Sequence, residues 1–319
     1  MPTFTSSKSE TRSSTMSKLK LALAYLYRFA YKLHHGLFLR KGSILQHANL
    51  VIVGSFRVGG AGKTPFCAWL AKFLHTQKSD AKIAILCHSC AYDEAILLKK
   101  QLTFATVLKT KNRYRTARRI DQDFDYIICD DGFEDSRLAG ASTIRLDWET
   151  PPQKIGDLVP AGKNRSLPCD HEAPSAIFTC QSGLARKVPE PRKDEESSEP
   201  DIAFGIDNIE NSLGKDIREM NLHANPYIIC GLGDGERFAS DVQALGIQAT
   251  KTIFRKDHDK NFEEALRLPL KKGFPVIVSE KDLVRVSGAT QESPLLFKTH
   301  QTLEVSKKTE QTLERLFFY

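Results

Sequence analysis

The chain has 319 residues, of which 41% are hydrophobic and 27% are charged, and its formal net charge is +7. This length allows two domains with separate cores, and this composition excludes an intrinsically disordered chain. A basic excess suits an anionic partner such as phosphates or an acidic membrane surface. Because the basic residues are not interleaved with aromatic residues that stack bases, we expect no nucleic-acid partner.

The seven cysteines are scattered along the chain. An odd number, with several members in apolar surroundings, favours a reducing cytoplasm over a disulfide framework. Cys87 and Cys90 form a C-x-x-C pair, but no second pair completes a zinc site. We therefore interpret them as unpaired thiols.

Two segments precede the first predicted domain. Residues 1–16 are rich in Ser, Thr and Lys and are predicted to be disordered. Residues 17–41 mix leucines and aromatic residues with lysines and arginines, which suits a helix that lies on a membrane surface. The uncharged run at 21–27 is too short to span a bilayer. The alternative is an amphipathic first helix that packs on the core.

A strand, a glycine-rich turn and a helix follow one another at 51–65, where the sequence is VIVGSFRVGGAGKTP. Glycines in such a turn direct backbone N–H groups at phosphates, while Lys63 neutralises them and the Thr64 hydroxyl binds Mg²⁺. The predicted nucleotide-binding residues are Gly59, Gly60, Ala61, Gly62, Lys63 and Thr64. Arg57 stands where the strict motif has its first glycine, and the alternative is a strand–helix turn with an incidental lysine.

The next segments alternate between strands and helices. Strands are predicted at 81–86, 103–108 and 124–129, and helices at 93–102 and 112–120. This alternation indicates a mainly parallel sheet, whose ligands bind at the carboxyl ends of the strands. Asp130 and Asp131 follow the last of these strands and are predicted to serve a Mg²⁺ site. The alternative is a solvated turn, because Asp-Gly also favours turns.

Residues 42–184 are thus predicted to form a phosphate-loop domain, residues 185–220 a linker or exposed region, and residues 221–319 a smaller α/β domain. In that last domain, strands are predicted at 226–230, 247–254 and 274–279, and helices at 237–245 and 262–268. His258 follows a strand and is a candidate to pair with a carboxylate across the cleft. Asp93 and Glu94 start a helix, where acids also simply complement the helix dipole.

Taken in order over residues 17–285, these motifs resemble those of the tetraacyldisaccharide 4′-kinase family. After a basic hydrophobic helix, that family has V-G-N-x-x-V-G-G-T-G-K-T-P, G-D-E-P, D-D-G-F-Q-H, L-P-A-G-x-x-R-E, A-G-I-G-x-P-x-R-F, F-x-D-H and T-E-K-D. The corresponding segments here are 53–65, 92–95, 130–135, 159–165, 230–238, 254–258 and 279–282. The shared order of these segments, more than any one of them, carries the resemblance.

The resemblance implies a P-loop NTPase-like α/β fold and a lipid kinase. Such an enzyme uses ATP and Mg²⁺ to phosphorylate the 4′-hydroxyl of tetraacyldisaccharide 1-phosphate, a lipid A precursor. It implies a place on the cytoplasmic face of the inner membrane of a Gram-negative bacterium, where the N-terminal helix docks. The implied roles are sugar-hydroxyl activation for Asp93 with His258, metal binding for Thr64 and Asp130, phosphoryl transfer for Asp131, and substrate binding for Arg165 and Glu94.

Some positions depart from the family pattern. The family's S-R-G-Y-G loop is replaced at 87–91, and the glutamine and histidine of D-D-G-F-Q-H are Glu134 and Asp135. The phosphate loop has Ser55 in place of the asparagine, and Arg57 occupies a position that the pattern leaves variable. Two further hypotheses therefore stay open: a catalytically impaired nucleotide-binding paralogue, and a kinase for a different sugar acceptor.

Overall fold

A computed structural model describes residues 7–38, 44–135, 137–138, 140–183 and 200–319. Within these residues, eleven strands form one sheet and helices pack on it. The predicted α/β class with a mainly parallel sheet is confirmed.

The strands are β1 (Asn49–Gly54), β2 (Ile83–His88), β3 (Thr106–Thr110), β4 (Tyr126–Asp130), β5 (Ser142–Asp147), β6 (Ala176–Ser182), β7 (Ile202–Asn211), β8 (Tyr227–Cys230), β9 (Lys251–Phe254), β10 (Val276–Ser279) and β11 (Leu296–Val305). The helices are α1 (Ser7–Phe38), α2 (Lys63–Gln77), α3 (Tyr92–Gln101), α4 (Arg113–Ile120), α5 (Gly235–Ala244), α6 (Phe262–Lys271), α7 (Glu280–Leu283), α8 (Gly288–Gln291) and α9 (Lys307–Phe318).

The strand order is β3-β2-β4-β1-β5-β6-β7-β11-β10-β8-β9. Among the described strands, all neighbours pair in parallel except β7 and β11, which pair antiparallel. Val53 of β1 lies opposite Asp130 of β4. The phosphate loop after β1 and the acids that end β4 therefore leave the sheet at the same edge.

A buried apolar face fixes the helix that follows the phosphate loop. Phe66, Leu70 and Leu74 recur along α2 at helical spacing and are fully buried, and they belong to the same core as Val51 and Val53 of β1. Burying such a side chain contributes about 1.5–3 kcal/mol. Packing thus positions the N-terminus of α2, and with it Lys63, at the sheet edge.

Parts of the sequence-based prediction are wrong. The region at 185–220 is not a linker throughout, because residues 202–211 form β7, whose apolar start at 202–206 is buried. Residues 184–199 lie outside the described part of the chain. Helix α1 begins at Ser7, inside the segment predicted to be disordered, and residues 1–6 are not described.

The sheet continues from the first half of the chain into the second through the pairing of β6 with β7. The division into a domain at 42–184 and a smaller one at 221–319 stays a prediction. Along the described helices, we find none that combines the length and the hydropathy needed to cross a bilayer.

Candidate active site

The phosphate loop adopts the left-handed backbone that its glycines allow. Gly59, Gly60 and Gly62 have φ values of 67°, 61° and 71°. A Cβ atom on Gly62 would also lie 2.5 Å from the Phe204 ring, so no larger residue fits there. The indole N–H of Trp148 donates to the Ala61 carbonyl at 3.0 Å, which fixes the loop from the side. These contacts hold the loop in a glycine-dependent backbone conformation, of the kind with which such loops direct N–H groups at an anion.

Lys63 begins α2 directly after this loop. Its Nζ lies 3.1 Å from Oδ1 of Asp131, and Nη1 of Arg165 lies 3.0 and 2.9 Å from the two Asp131 oxygens. Burial raises the pKa of Asp131, but the cations of Lys63 and Arg165 outweigh it, so that the pKa lies below its usual value. Asp131 is thus an anion that holds both cations beside the loop.

Thr64 and Asp130 form an oxygen-rich pair at the same place. The Thr64 hydroxyl donates to Oδ2 of Asp130 at 2.7 Å, whereas Oδ1 of Asp130 is buried and has no hydrogen-bond partner among the described residues. Burial, with the neighbouring Asp131 carboxylate, raises the pKa of Asp130 to about 6, while Thr64 and Lys63 act in the opposite direction. A buried, unpartnered carboxylate oxygen beside a hydroxyl fits Mg²⁺, a hard cation that takes oxygen ligands.

The described residues contain no cluster of three or more His, Cys, Asp or Glu side chains able to hold a metal. A magnesium site in phosphoryl-transfer enzymes uses one or two carboxylates, because waters and substrate phosphates supply the other ligands. Arg113 of α4 donates to the Asp130 main-chain carbonyl at 2.7 Å. Arg113 is not among the predicted site residues, although it lies in the helix predicted at 112–120.

The structure brings Asp93 and His258 together, as the sequence analysis expected. Nδ1 of His258 lies 3.1 Å from Oδ2 of Asp93, and Nε of Arg285 lies 3.1 Å from the same oxygen. The side chain of Asp93 is 6% exposed and that of His258 is 42% exposed. Asp282 forms an ion pair with the same Arg285 side chain and so helps to hold it beside Asp93. Arg285 lies just beyond the last motif and is not among the predicted site residues.

Glu94 lies at the rim of this pair. Its Oε1 is 2.8 Å from Nζ of Lys281 and 3.7 Å from Nε2 of His258. Lys281 also contacts Asp257 at 2.9 Å. Burial lowers the pKa of Lys281, but the carboxylates of Glu94 and Asp257 outweigh that effect and raise it. These ion pairs join α3 to the loop after β9 and to α7.

The two clusters lie close enough to interact. The Glu94 carboxylate contributes to the raised pKa of Asp130, after burial and the effects of nearer groups. Strands β2 and β4 pair in parallel, so that α3 and the Asp130-Asp131 turn both start from the carboxyl edge of the sheet. All predicted site residues therefore lie at one edge of the sheet. Arg165 belongs to this group because its side chain contacts Asp131.

The two cysteines of the altered loop are free thiols. Cys87 is buried and Cys90 is exposed. Burial raises the pKa of the Cys87 thiol well above its ordinary value. A buried thiol that stays protonated behaves as a small apolar group, in agreement with the interpretation of unpaired thiols.

A glycine-rich loop between a parallel strand and a helix, with lysine, threonine and a strand-end aspartate around it, defines the class of P-loop phosphotransferases. Within that class, the chain belongs to the tetraacyldisaccharide-1-P 4′-kinase (LpxK) family, whose model matches residues 16–89 and 88–317.

Known proteins agree with this membership. The tetraacyldisaccharide 4′-kinase of Pasteurella multocida (strain Pm70) is 28% identical over 306 residues, which are 86% of this chain and 87% of that protein. The protein of the same name from Chlamydia trachomatis serovar D is 27% identical over 276 residues, 77% of this chain and 74% of the relative.

A solved structure shows the same fold. The crystal structure of the "apo" form of LpxK from Aquifex aeolicus in complex with ATP superposes with a TM-score of 0.62 at 21% identity, covering 95% of this chain and all of that one (100%). The family resemblance and the P-loop fold predicted from the sequence are thereby confirmed.

Proposed function

We propose that this protein transfers the γ-phosphoryl group of ATP to the 4′-hydroxyl of tetraacyldisaccharide 1-phosphate, a step of lipid A biosynthesis. One observation carries the proposal: in a chain of this family, the phosphate loop and the Asp130-Asp131 turn meet the Asp93–His258 pair at one sheet edge. Phosphoryl transfer needs a phosphate cradle with cations, and a base for the acceptor hydroxyl.

Lys63 and Arg165 are the cations that neutralise the phosphates. Both contact the Asp131 carboxylate. When phosphates enter the loop, these two side chains exchange part of their contact with Asp131 for phosphate oxygens, which carry more negative charge. Asp131 keeps both side chains extended and ready, so that little ordering remains to be done when ATP binds.

Mg²⁺ would be held by the Thr64 hydroxyl and by the unpartnered oxygen of Asp130. The ion supplies positive charge that offsets the charge of the β- and γ-phosphates. The protein contributes the buried carboxylate of Asp130, whose pKa is raised by burial to about 6. The cation therefore competes with a proton for this site.

The proton of the acceptor hydroxyl goes to the Asp93–His258 pair. Arg285 and His258 both contact Oδ2 of Asp93, which fixes the carboxylate in place. His258 is the more exposed partner, and its contact with Asp93 fixes the orientation of the imidazole. General-base help of this kind contributes about 10²- to 10⁴-fold in rate.

Helix α1 supports a place on the membrane surface. One side of it is docked on the body of the protein: Ala24 is buried, Arg28 contacts Asp170 at 3.2 Å, and the Tyr31 hydroxyl donates to Glu134. The exposed apolar side chains of this helix are Leu19, Leu21, Leu23, Tyr25, Leu26, Phe29 and Leu33. An apolar surface flanked by lysines suits an interface with acidic lipids, and we propose the cytoplasmic face of the inner membrane.

Two of the departures from the family pattern have partners of their own. Arg137 donates to both oxygens of Asp135, at 2.6 and 2.7 Å. The Ser166 hydroxyl donates to Glu134 at 2.7 Å. Because Asp135 is neutralised by Arg137 and Glu134 is hydrogen-bonded, these acids are compatible with a working kinase.

An acceptor comparison tests the proposed function. The protein is given labelled ATP and Mg²⁺ in detergent micelles with tetraacyldisaccharide 1-phosphate, with an unacylated glucosamine disaccharide, or with no acceptor. We expect labelled product only with the lipid, and none from Lys63→Ala. Transfer to the unacylated sugar alone would favour the kinase for a different acceptor, and ATP binding without transfer would favour the impaired paralogue.

A further inference from the structure

Arg57 places an extra cation in the phosphate loop. It stands where the strict motif has a glycine. The backbone on either side of it is held by two hydrogen bonds: Val58 N–H donates to the Lys163 carbonyl at 2.9 Å, and Arg165 N–H donates to the Phe56 carbonyl at 2.8 Å. The Arg57 side chain is 18% exposed. The guanidinium is therefore carried by a backbone segment that is held in place, and it is mostly but not fully buried.

Asp234 is the nearer of two acidic partners of this guanidinium, since the exposed Glu149 carboxylate lies 4.0 Å from Nη1. Nη2 of Arg57 lies 2.8 Å from Oδ2 of Asp234, while Oδ1 of Asp234 accepts from the Arg237 N–H at 3.2 Å and caps α5. The ion pair thus connects the phosphate loop with the turn between β8 and α5, which belongs to the second half of the chain.

The turn lies directly against the loop. A Cβ atom on Gly60 would be 2.6 Å from Cβ of Asp234, and one on Gly233 would be 2.9 Å from the Gly60 nitrogen. The carboxylate of Asp234 therefore sits at the rim of the N–H groups that receive phosphates. A carboxylate beside the loop repels a bound triphosphate and also attracts the Arg57 guanidinium away from it.

We propose that Arg57 is a phosphate-binding residue of the nucleotide site and that Asp234 is its built-in competitor. This proposal rests on the proposed nucleotide binding. On ATP binding, the Arg57 guanidinium leaves the Asp234 carboxylate for the phosphates, because its planar fork fits phosphate as well as carboxylate and the phosphates carry more charge. Asp234 thereby sets the affinity for ATP.

Opposite effects of two substitutions test this proposal. The dissociation constant of ATP with Mg²⁺ is measured by titration calorimetry, without acceptor, for wild type, Arg57→Ala and Asp234→Asn. Loss of a charged hydrogen bond should weaken binding by about tenfold or more in Arg57→Ala. Removal of the competing charge should tighten binding by about two- to fivefold in Asp234→Asn.

Asn is as good a helix cap as Asp, so Asp234→Asn keeps α5 capped, and unfolding temperatures check that both variants fold. If Arg57 and Asp234 only clamp the loop in place, both variants weaken ATP binding or neither changes it. Any result other than shifts of opposite sign overturns the proposal. Lys63→Ala is the separate control: if wild type binds ATP no better than this variant, the proposed function itself fails.

Discussion

Asp130→Asn should remove a pH-dependent penalty on folding. Burial raises the pKa of this carboxyl from 3.8 to about 6 in the folded protein. The folded state therefore holds the proton more tightly than the unfolded state, and the resulting stability is present below pH 3.8 and lost as the pH rises through about 6. The full effect corresponds to about 3 kcal/mol of unfolding free energy, of which about 2 kcal/mol falls between pH 4.5 and 8.

Urea unfolding at these two pH values, without nucleotide or Mg²⁺, measures the effect. The unfolding free energy of wild type minus that of Asp130→Asn should fall by about 2 kcal/mol from pH 4.5 to 8, because asparagine does not titrate. Comparing the two proteins at each pH cancels the other ionisable groups. The exposed Asp123→Asn is the matched control, with an expected change within about 0.5 kcal/mol at either pH.

An equal difference between wild type and Asp130→Asn at both pH values would refute the reasoning. It would mean that the Asp130 carboxylate is solvated. Its Oδ1 atom would then not be the buried, unpartnered oxygen that we propose as a metal ligand. Added Mg²⁺ and ATP should recover stability at pH 8 in wild type, and less of it in Asp130→Asn.

Three further outcomes are expected. Gly62→Ala should abolish ATP binding, because the added methyl group meets the Phe204 ring and the residue needs a φ of 71°. Calorimetry measures the ATP affinity of this variant, and an unfolding curve shows whether the variant still folds. His258→Ala should lower kcat by about 10²- to 10⁴-fold with little change in the KM for ATP; an equal rise in that KM would contradict a role in proton transfer. Leu26→Ser with Phe29→Ser should weaken sedimentation with anionic liposomes, since these side chains are 62% and 67% exposed; unchanged binding would contradict the membrane-surface role of α1.

Local signals were enough to predict the phosphate loop and the acids after β4. Each follows a buried apolar strand, and parallel strands place their carboxyl ends together, so the meeting of Lys63, Asp130 and Asp131 follows from pattern alone. The pairing of Asp93 with His258 needed the family resemblance, because these residues come from distant parts of the chain and neither is distinctive by itself.

The missed features depend on long-range packing. Arg285 follows no strand-end pattern, and its role appears only when α7 brings it to Asp93. Strand β7 was hidden by the polar, proline-containing stretch before it. The Arg57–Asp234 pair joins two turns of opposite halves of the chain, and no local sequence rule links them.

The most direct test of the central claim is the rate of transfer from labelled ATP to tetraacyldisaccharide 1-phosphate, measured with the affinity for ATP in wild type, Lys63→Ala and Asp93→Asn. We expect transfer by wild type, loss of both ATP binding and transfer in Lys63→Ala, and slow transfer with intact ATP binding in Asp93→Asn. Wild-type ATP binding without transfer to this lipid, or full-rate transfer by Asp93→Asn, would contradict it.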